Sequence, residues 1–196
     1  GANVAVGSYV REAAGRSGDA AAYPDPEEIV AVRDALAAHG NEVFAAHLDV
    51  RDADAIKQFL AAAASACGAP DILVNAAGTT AEQPVSGHSD ELWLKIIDTN
   101  LNGAFRMIRE VLPGMMERSW GRIVNIGSTA AEVGWKDNPA YCASKSGLLG
   151  LTRCVALNQL ARDLTNCLAG LTLGVCPVGS TELAQRRQLP TDVSGE

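Results

Sequence analysis

The chain has 196 residues, 47% hydrophobic and 20% charged, which is the composition of a globular protein and too apolar for a disordered one. Its net charge of −7 argues against general affinity for nucleic acid or an anionic membrane surface, both of which attract basic proteins. The length suits one domain, 1–196, whose core is built mostly from small side chains, with 33 Ala against three each of Phe, Trp and Tyr.

In chain order, Ala2–Val6 reads as a short strand, followed by a Gly-, Ala- and Arg-rich loop from Gly7 to Tyr23. A helix then starts at the cap Asp25, with Pro26 in its first turn and Glu27 and Glu28 at its positive end; Gly40 stops it. Its apolar face carries Ile29, Val32, Leu36 and Ala37. Glu42–Leu48 is the next strand. Asp52 opens a second helix with Ile56, Phe59, Leu60 and Ala63 on one stripe, ended by Gly68 and Pro70. Ile72–Val74 is continuously apolar, the pattern of a strand buried on both faces. A helical pattern runs from about Ser89 to Met116, interrupted near Asn100 and Pro113. Arg122–Ile126 is another buried strand, Pro139–Leu164 one long helix, and Leu171–Cys176 the last strand.

Alternating strands and helices predict a parallel sheet with helices on both faces, a three-layer α/β/α doubly wound arrangement. Ligands of such sheets sit beyond the carboxyl ends of the strands. The residues there are Asp49 and Val50, then Asn75, Ala76, Ala77 and Gly78, then Gly127 and Ser128. The five cysteines show no C-x-x-C or zinc spacing and read as reduced thiols of a cytoplasmic protein. No secretion signal or apolar run of membrane-spanning length is visible. His39, His47 and His88 are scattered and read as ordinary side chains, and no metal site is expected.

Tyr141 and Lys145 stand four apart in Y-C-A-S-K and therefore share one helix face, which Ser128, on the preceding strand end, can reach. A phenol is a poor base at neutral pH, with an ordinary pKa of about 10. An ammonium group one turn away favours its phenolate. Such a tyrosine can exchange a proton with a carbonyl or alcohol oxygen while hydride moves to or from a nicotinamide ring, with a serine hydroxyl holding the same oxygen.

With these residues in hand, the chain resembles the short-chain dehydrogenase/reductase family, most like its 3-oxoacyl reductases and secondary-alcohol dehydrogenases. The matching stretches are G-A-N-V-A-V, L-D-V, D-I-L-V-N-A-A-G, N-L-N-G-A-F, G-R-I-V-N-I-G-S and Y-C-A-S-K-S-G, from Gly1 to about Leu157. The resemblance implies a Rossmann-like fold and an NAD(P)-dependent oxidoreductase acting on a ketone or secondary alcohol. It implies Ser128, Tyr141 and Lys145 as a catalytic triad, with Asn100 as a fourth member that breaks its helix and holds a proton-relaying water. Tyr141 and Lys145 also meet the cofactor there, Lys145 through the nicotinamide ribose. Asp49 and Val50 would contact the adenine, Asn75 to Gly78 would line the ribose and sheet side, and Thr181 would bind the nicotinamide amide. A homodimer or homotetramer built on the long helices is implied as well. No acid follows the first strand before Glu12, whereas Ser8 and Arg11 could hold a 2′-phosphate, which favours NADP(H) over NAD(H).

Two departures from the family pattern stand out. The glycine-rich turn G-x-x-x-G-x-G and the strand before it are not in this sequence, which starts at the equivalent of the family's second strand. In the order 3-2-1-4-5-6 the missing strand is central, leaving a gap of about 9.6 Å between its neighbours. Edges across such a gap should close up, recruit another segment or fail to fold. The family's substrate lid and final strand are also not visible. The alternative to an enzyme is therefore a non-catalytic member that acts as a binding or oligomerising subunit.

Overall fold

The structure, a computed structural model, describes residues 1–10, 23–159 and 163–169. Arg11, Thr181 and the expected Leu171–Cys176 strand lie outside the described residues. The elements are β1 (Val4–Ser8), α1 (Pro26–Ala37), β2 (Val43–His47), α2 (Ala53–Cys67), β3 (Ile72–Asn75), α3 (Asp90–Ile97), α4 (Gly103–Glu117), β4 (Trp120–Ile126), α5 (Pro139–Gln159) and β5 (Asp163–Ala169). A π-helical turn, Asp98–Asn102, joins α3 to α4.

Local chemistry sets the helix starts. The Asp25 side chain accepts from the Glu28 N–H while the Glu28 carboxylate accepts from the Asp25 N–H, a reciprocal capping box. Asp52 caps α2 by accepting from the N–H groups of Asp54 and Ala55. Gly68 ends α2 at φ +88°, in the left-handed region open to glycine.

All strand pairs are parallel. They form two groups, β1–β2 and β3–β4–β5. The fold is Rossmann-like and doubly wound, with an incomplete set of strands and helices. One core still spans both groups: Leu48, Ile56, Phe59, Leu73, Met107, Val111 and Ile123 belong to a single buried cluster under α2 and α4. Between β1 and β3 lies a cavity of about 800 Å³. The two edges therefore neither close up nor gain a strand from the described part of the chain.

Several sequence expectations are corrected. The last helix ends at Gln159, and Asp163 and Leu164, expected within it, open β5 instead, paired with Trp120 and Gly121. Pro113 does not interrupt α4; it lies exposed, where water can satisfy the backbone carbonyl its ring leaves unpaired. The α1 stripe buries Ile29 only, while Val32 is 44% exposed. β3 is buried on one face, not two: Leu73 is 7% exposed, whereas Ile72 and Val74 are 56% and 55% exposed.

That asymmetry gives a direct prediction. Leu73→Ala should cost about 2–5 kcal/mol of stability by denaturant unfolding, the range for emptying a packed leucine site. Ile72→Ala and Val74→Ala should each cost under about 1 kcal/mol. Equal losses at all three positions would mean that both faces of β3 are covered.

Candidate active site

The site forms where β3, β4, the π turn and the first half of α5 converge. Asn100, in the π turn, is 1% exposed and has its polar atoms engaged. Its Oδ1 accepts from the Thr79 N–H at 2.8 Å, and its Nδ2 donates to the Thr79 carbonyl at 2.9 Å and to Ser144 Oγ at 3.1 Å. One amide thus pins the loop after β3 to α5. The extra residue of a π turn widens the helix and aims the Asn100 side chain inward, in agreement with the expected break at this position. Just beyond, Gly103 permits close packing on the turn after β2: a Cβ there would stand 2.6 Å from Val50 Cγ2.

Tyr141, Ser144 and Lys145 project from the first turns of α5. Ser144 Oγ donates to the Tyr141 carbonyl at 2.8 Å while accepting from Asn100. Lys145 is 5% exposed, and its Nζ donates to the Ile126 carbonyl at the end of β4, at 2.7 Å. The same Nζ lies 5.7 Å from the centre of the Tyr141 ring. Burial alone holds the Lys145 ammonium below its ordinary range. Trp135 stacks on Tyr141 with ring centres 5.5 Å apart, and the Trp135 N–H donates to Cys142 Sγ.

Ser128 stands two residues beyond Ile126 and caps a short 3-10 turn, its Oγ accepting from the Ala130 N–H at 3.1 Å. That bond uses a lone pair and leaves the Ser128 O–H available to donate. The turn is tied to α5 by Ser146 Oγ, which donates to the Ala131 carbonyl. Gly78 completes the cradle: a Cβ there would come 3.6 Å from Asn100 Oδ1 and 3.8 Å from Lys145 Nζ. Gly78 thus lies beside Asn100 and Lys145 at ordinary contact distance with no side chain of its own between them.

The cofactor-side residues separate into groups. Asn75 donates through Nδ2 to Asn125 Oδ1 at 2.8 Å, and the fully buried Asn125 donates in turn to Thr152. Its side chain therefore braces β3 against β4 and α5. Ala76, Ala77 and Gly78 are exposed at the strand end, with Ala76 and Ala77 lining the cavity between the sheet halves. Asp49 is held by Arg51, with Nη2–Oδ2 at 2.7 Å and Nε–Oδ1 at 2.9 Å. Burial pushes the Asp49 carboxyl up, but the several Arg51 contacts outweigh it and hold the group below the ordinary carboxylate range. The Arg51 guanidinium also lies 5.6 Å over the Tyr9 ring, which packs against Tyr23 and His47. Ser8 ends β1 beside this group, its carbonyl accepting from the Leu48 N–H.

Sequence reading missed Arg51, Trp135, Ser144 and the Asn125–Thr152 pair. Ser144 stood in view inside Y-C-A-S-K, but small hydroxyl residues inside a helix carry no functional signal of their own. Among the described residues no group of three or more His, Cys, Asp or Glu side chains could hold a metal ion.

A tyrosine and a buried lysine thus stand one turn apart at the carboxyl edge of a parallel, doubly wound sheet. The short chain dehydrogenase family model matches residues 2–170, and the chain belongs to that family. A Streptomyces virginiae protein described as a ketoacyl reductase of the monensin polyketide synthase is 40% identical over 163 residues, which is 81% of this chain and 60% of that protein. The 3-oxoacyl-(acyl-carrier-protein) reductase FabG of Staphylococcus aureus is 34% identical over 139 residues, 71% of this chain and 56% of that enzyme. A solved variant of actinorhodin polyketide ketoreductase with NADPH superposes with a TM-score of 0.70 at 36% identity, covering 73% of this chain and 56% of that one. The chain spans about half to three fifths of the length of these relatives.

Burial of Lys145 without a carboxylate partner among the described residues should be visible in stability. A lysine whose folded pKa lies below its unfolded one binds fewer protons when folded, so stability rises with pH between the depressed value and about 10.5. Lys145→Met should abolish that rise and raise the thermal midpoint at neutral pH, by roughly 2–4 °C for each kcal/mol gained. A lower midpoint for Lys145→Met would show that the ammonium stabilises the fold.

Proposed function

We propose that this chain carries the catalytic half-site of an NADP(H)-dependent reductase that converts a ketone, such as a 3-oxoacyl thioester, to a secondary alcohol, or runs the reverse reaction. The observation that carries this reading is the Lys145 ammonium, buried under the Ile126 carbonyl beside the Tyr141 ring. A cation kept out of water with no carboxylate beside it among the described residues is costly for folding and suits stabilising negative charge on a neighbouring phenol oxygen.

In this reading the Tyr141 O–H gives its proton to the carbonyl oxygen of the substrate, and the Lys145 ammonium stabilises the phenolate left behind. Ser128, whose hydroxyl accepts from Ala130 and so retains its own proton, donates to the same oxygen and fixes its position. Asn100 holds the loop carrying Thr79 against α5 and so keeps the Lys145 pocket formed. NADP(H), when bound, supplies the hydride. Lys145, beside Gly78, would hold its ribose, and Asn75 to Gly78 would line its sheet side. Asp49, Val50 and Ser8 would face its adenosine half.

NADP(H) is favoured over NAD(H) because the solved ketoreductase carries NADPH and because no acid follows the first strand before Glu12, where Ser8 and Arg11 could hold a 2′-phosphate. Cytoplasmic placement agrees with thiols at Cys67 and Cys142 that form no disulfide. A homodimer or homotetramer through the long helices agrees with exposed Leu94 and Phe105 on α3 and α4. No nucleic acid partner is proposed for this acidic chain. One observation favours the second reading, a non-catalytic binding or oligomerising subunit: the sheet is interrupted between β1 and β3.

The decisive experiment follows NADPH oxidation at 340 nm with a 3-oxoacyl thioester. Tyr141→Phe, which keeps the Trp135 stacking, should lower the rate about 10²-fold or more while leaving the fold unchanged by circular dichroism. Reductase activity that survives this substitution would overturn the assignment of Tyr141. The absence of any saturable NADPH binding or turnover would leave the subunit reading in its place.

A further inference from the structure

An exposed aromatic ring stands against the proposed proton donor. Trp135 is 47% exposed and lies outside the buried core cluster. Its indole stacks on the Tyr141 ring, with centres 5.5 Å apart and planes inclined by 26°. A large aromatic side chain ordinarily stabilises a fold by its burial, and this one is left half in water. Val133, two residues earlier, is 78% exposed, and Gly134 between them has open space where a side chain would begin. The segment 133–135 thus puts apolar surface on the lip of the site, next to Tyr141.

The loop that carries Trp135 is tied down on both sides. The Trp135 N–H donates to Cys142 Sγ at 3.1 Å, and the Trp135 carbonyl accepts from the Asn138 N–H at 3.4 Å. The Asn138 carbonyl in turn accepts from the Cys142 N–H at the start of α5. Asn138 is 5% exposed, and its Oδ1 accepts from Thr80 Oγ1 at 2.7 Å. Asp137 takes the left-handed backbone conformation, φ +56°, and its carbonyl accepts from the Gln83 N–H. Such a conformation persists where the surrounding contacts fix it. The loops after β3 and after β4 are thereby joined, and the indole is held against Tyr141 by its own loop rather than by a ligand.

We propose that Trp135 is a specificity-determining residue, a platform that selects ketones with a planar aromatic ring on the carbonyl carbon over ketones with a saturated group there. The inference rests on the reductase reading of Tyr141 and deepens it by naming the substrate class. When the Tyr141 O–H meets a carbonyl oxygen, the substituents of that carbonyl lie near the Tyr141 ring, and the indole packed on that ring comes within reach of one of them. An aromatic ring conjugated to a carbonyl is flat and electron-poor. The face of an indole is electron-rich, so the two attract in an offset stack. A saturated ring of the same size is puckered and has no π face, and it gains from the indole only the burial of apolar surface. Because the indole is already fixed, little ordering is left to oppose the stacking when the ligand arrives.

The test compares ethyl benzoylacetate with its counterpart in which the phenyl ring is replaced by cyclohexyl, so that the two esters differ only in the saturation of the ring. Each is assayed by NADPH oxidation. The ratio of the two kcat/KM values is the readout, because it cancels any general effect on Tyr141. Trp135→Ala should lower the phenyl-to-cyclohexyl ratio about fivefold, and Trp135→Phe, which keeps a flat ring, should hold it within about twofold. Equal slowing of both esters by Trp135→Ala would show that the indole only props Tyr141, and would overturn the proposal. Binding is read separately, without NADPH, from the indole N–H signal of nitrogen-15-labelled Trp135, identified by its loss in Trp135→Phe. The phenyl ester should shift that signal with a Kd about fivefold below that of the cyclohexyl ester. If neither ester is reduced but this difference in binding is found, the reductase reading fails and the platform stands. Reduction with a ratio insensitive to Trp135→Ala does the reverse, and equal Kd values without reduction remove both.

Discussion

One buried cation organises the carboxyl end of β4 and the first turns of α5. The Lys145 ammonium has left water for a place under the Ile126 carbonyl, at the carboxyl end of β4. One hydrogen bond does not replace full hydration, and burial accordingly holds the ammonium below its ordinary range. The surroundings are arranged around that demand. Gly78 lies beside Nζ with no side chain of its own, Tyr141 presents its ring from the turn before, and Asn100 locks the facing loop. A fold optimised only for stability would place an aliphatic side chain at 145, so the charge points to a function that needs it.

The Asn100 network ties this end of the sheet together although the middle of the sheet is open. Its three hydrogen bonds join the loop after β3 to α5 through two elements far apart in sequence. The chain Asn75–Asn125–Thr152 repeats the device one layer lower, linking β3, β4 and α5. Buried amides of this kind are costly when unpaired and specific when paired, so they fix register in a core otherwise made of interchangeable aliphatic groups. The interruption between β1 and β3 therefore leaves the Tyr141–Lys145 region intact and falls on the side proposed for the cofactor.

What the sequence disclosed followed the range of the interactions. Asp25 and Asp52 were legible as caps because a cap is satisfied within three residues. Tyr141 and Lys145 were legible as a pair because helical spacing alone puts them on one face. At Asn100 the sequence showed an interruption of the helical pattern, and the resemblance a helix break, but not the π turn itself, since its cause is a set of partners 21 and 44 residues away. Burial on one face of β3 was misread because a continuous apolar run does not say whether a neighbour covers it. The boundary between α5 and β5 was misread because Ala161 to Leu164 continues an acceptable helical pattern, and pairing with Trp120 and Gly121 overrides it. Arg51 was overlooked although Asp49 stands only two residues before it, and Tyr9 reaches it only when β1 and β2 pair.

The state of Lys145 can be measured without any assumption about substrate. Carbon-13 labelling of the lysine side chains gives a titration for Lys145 by NMR. The midpoint for Lys145 should fall below the ordinary 10.5. A midpoint at or above that value would mean that the ammonium is hydrated or paired with a carboxylate, and the buried-cation account of this site would be wrong.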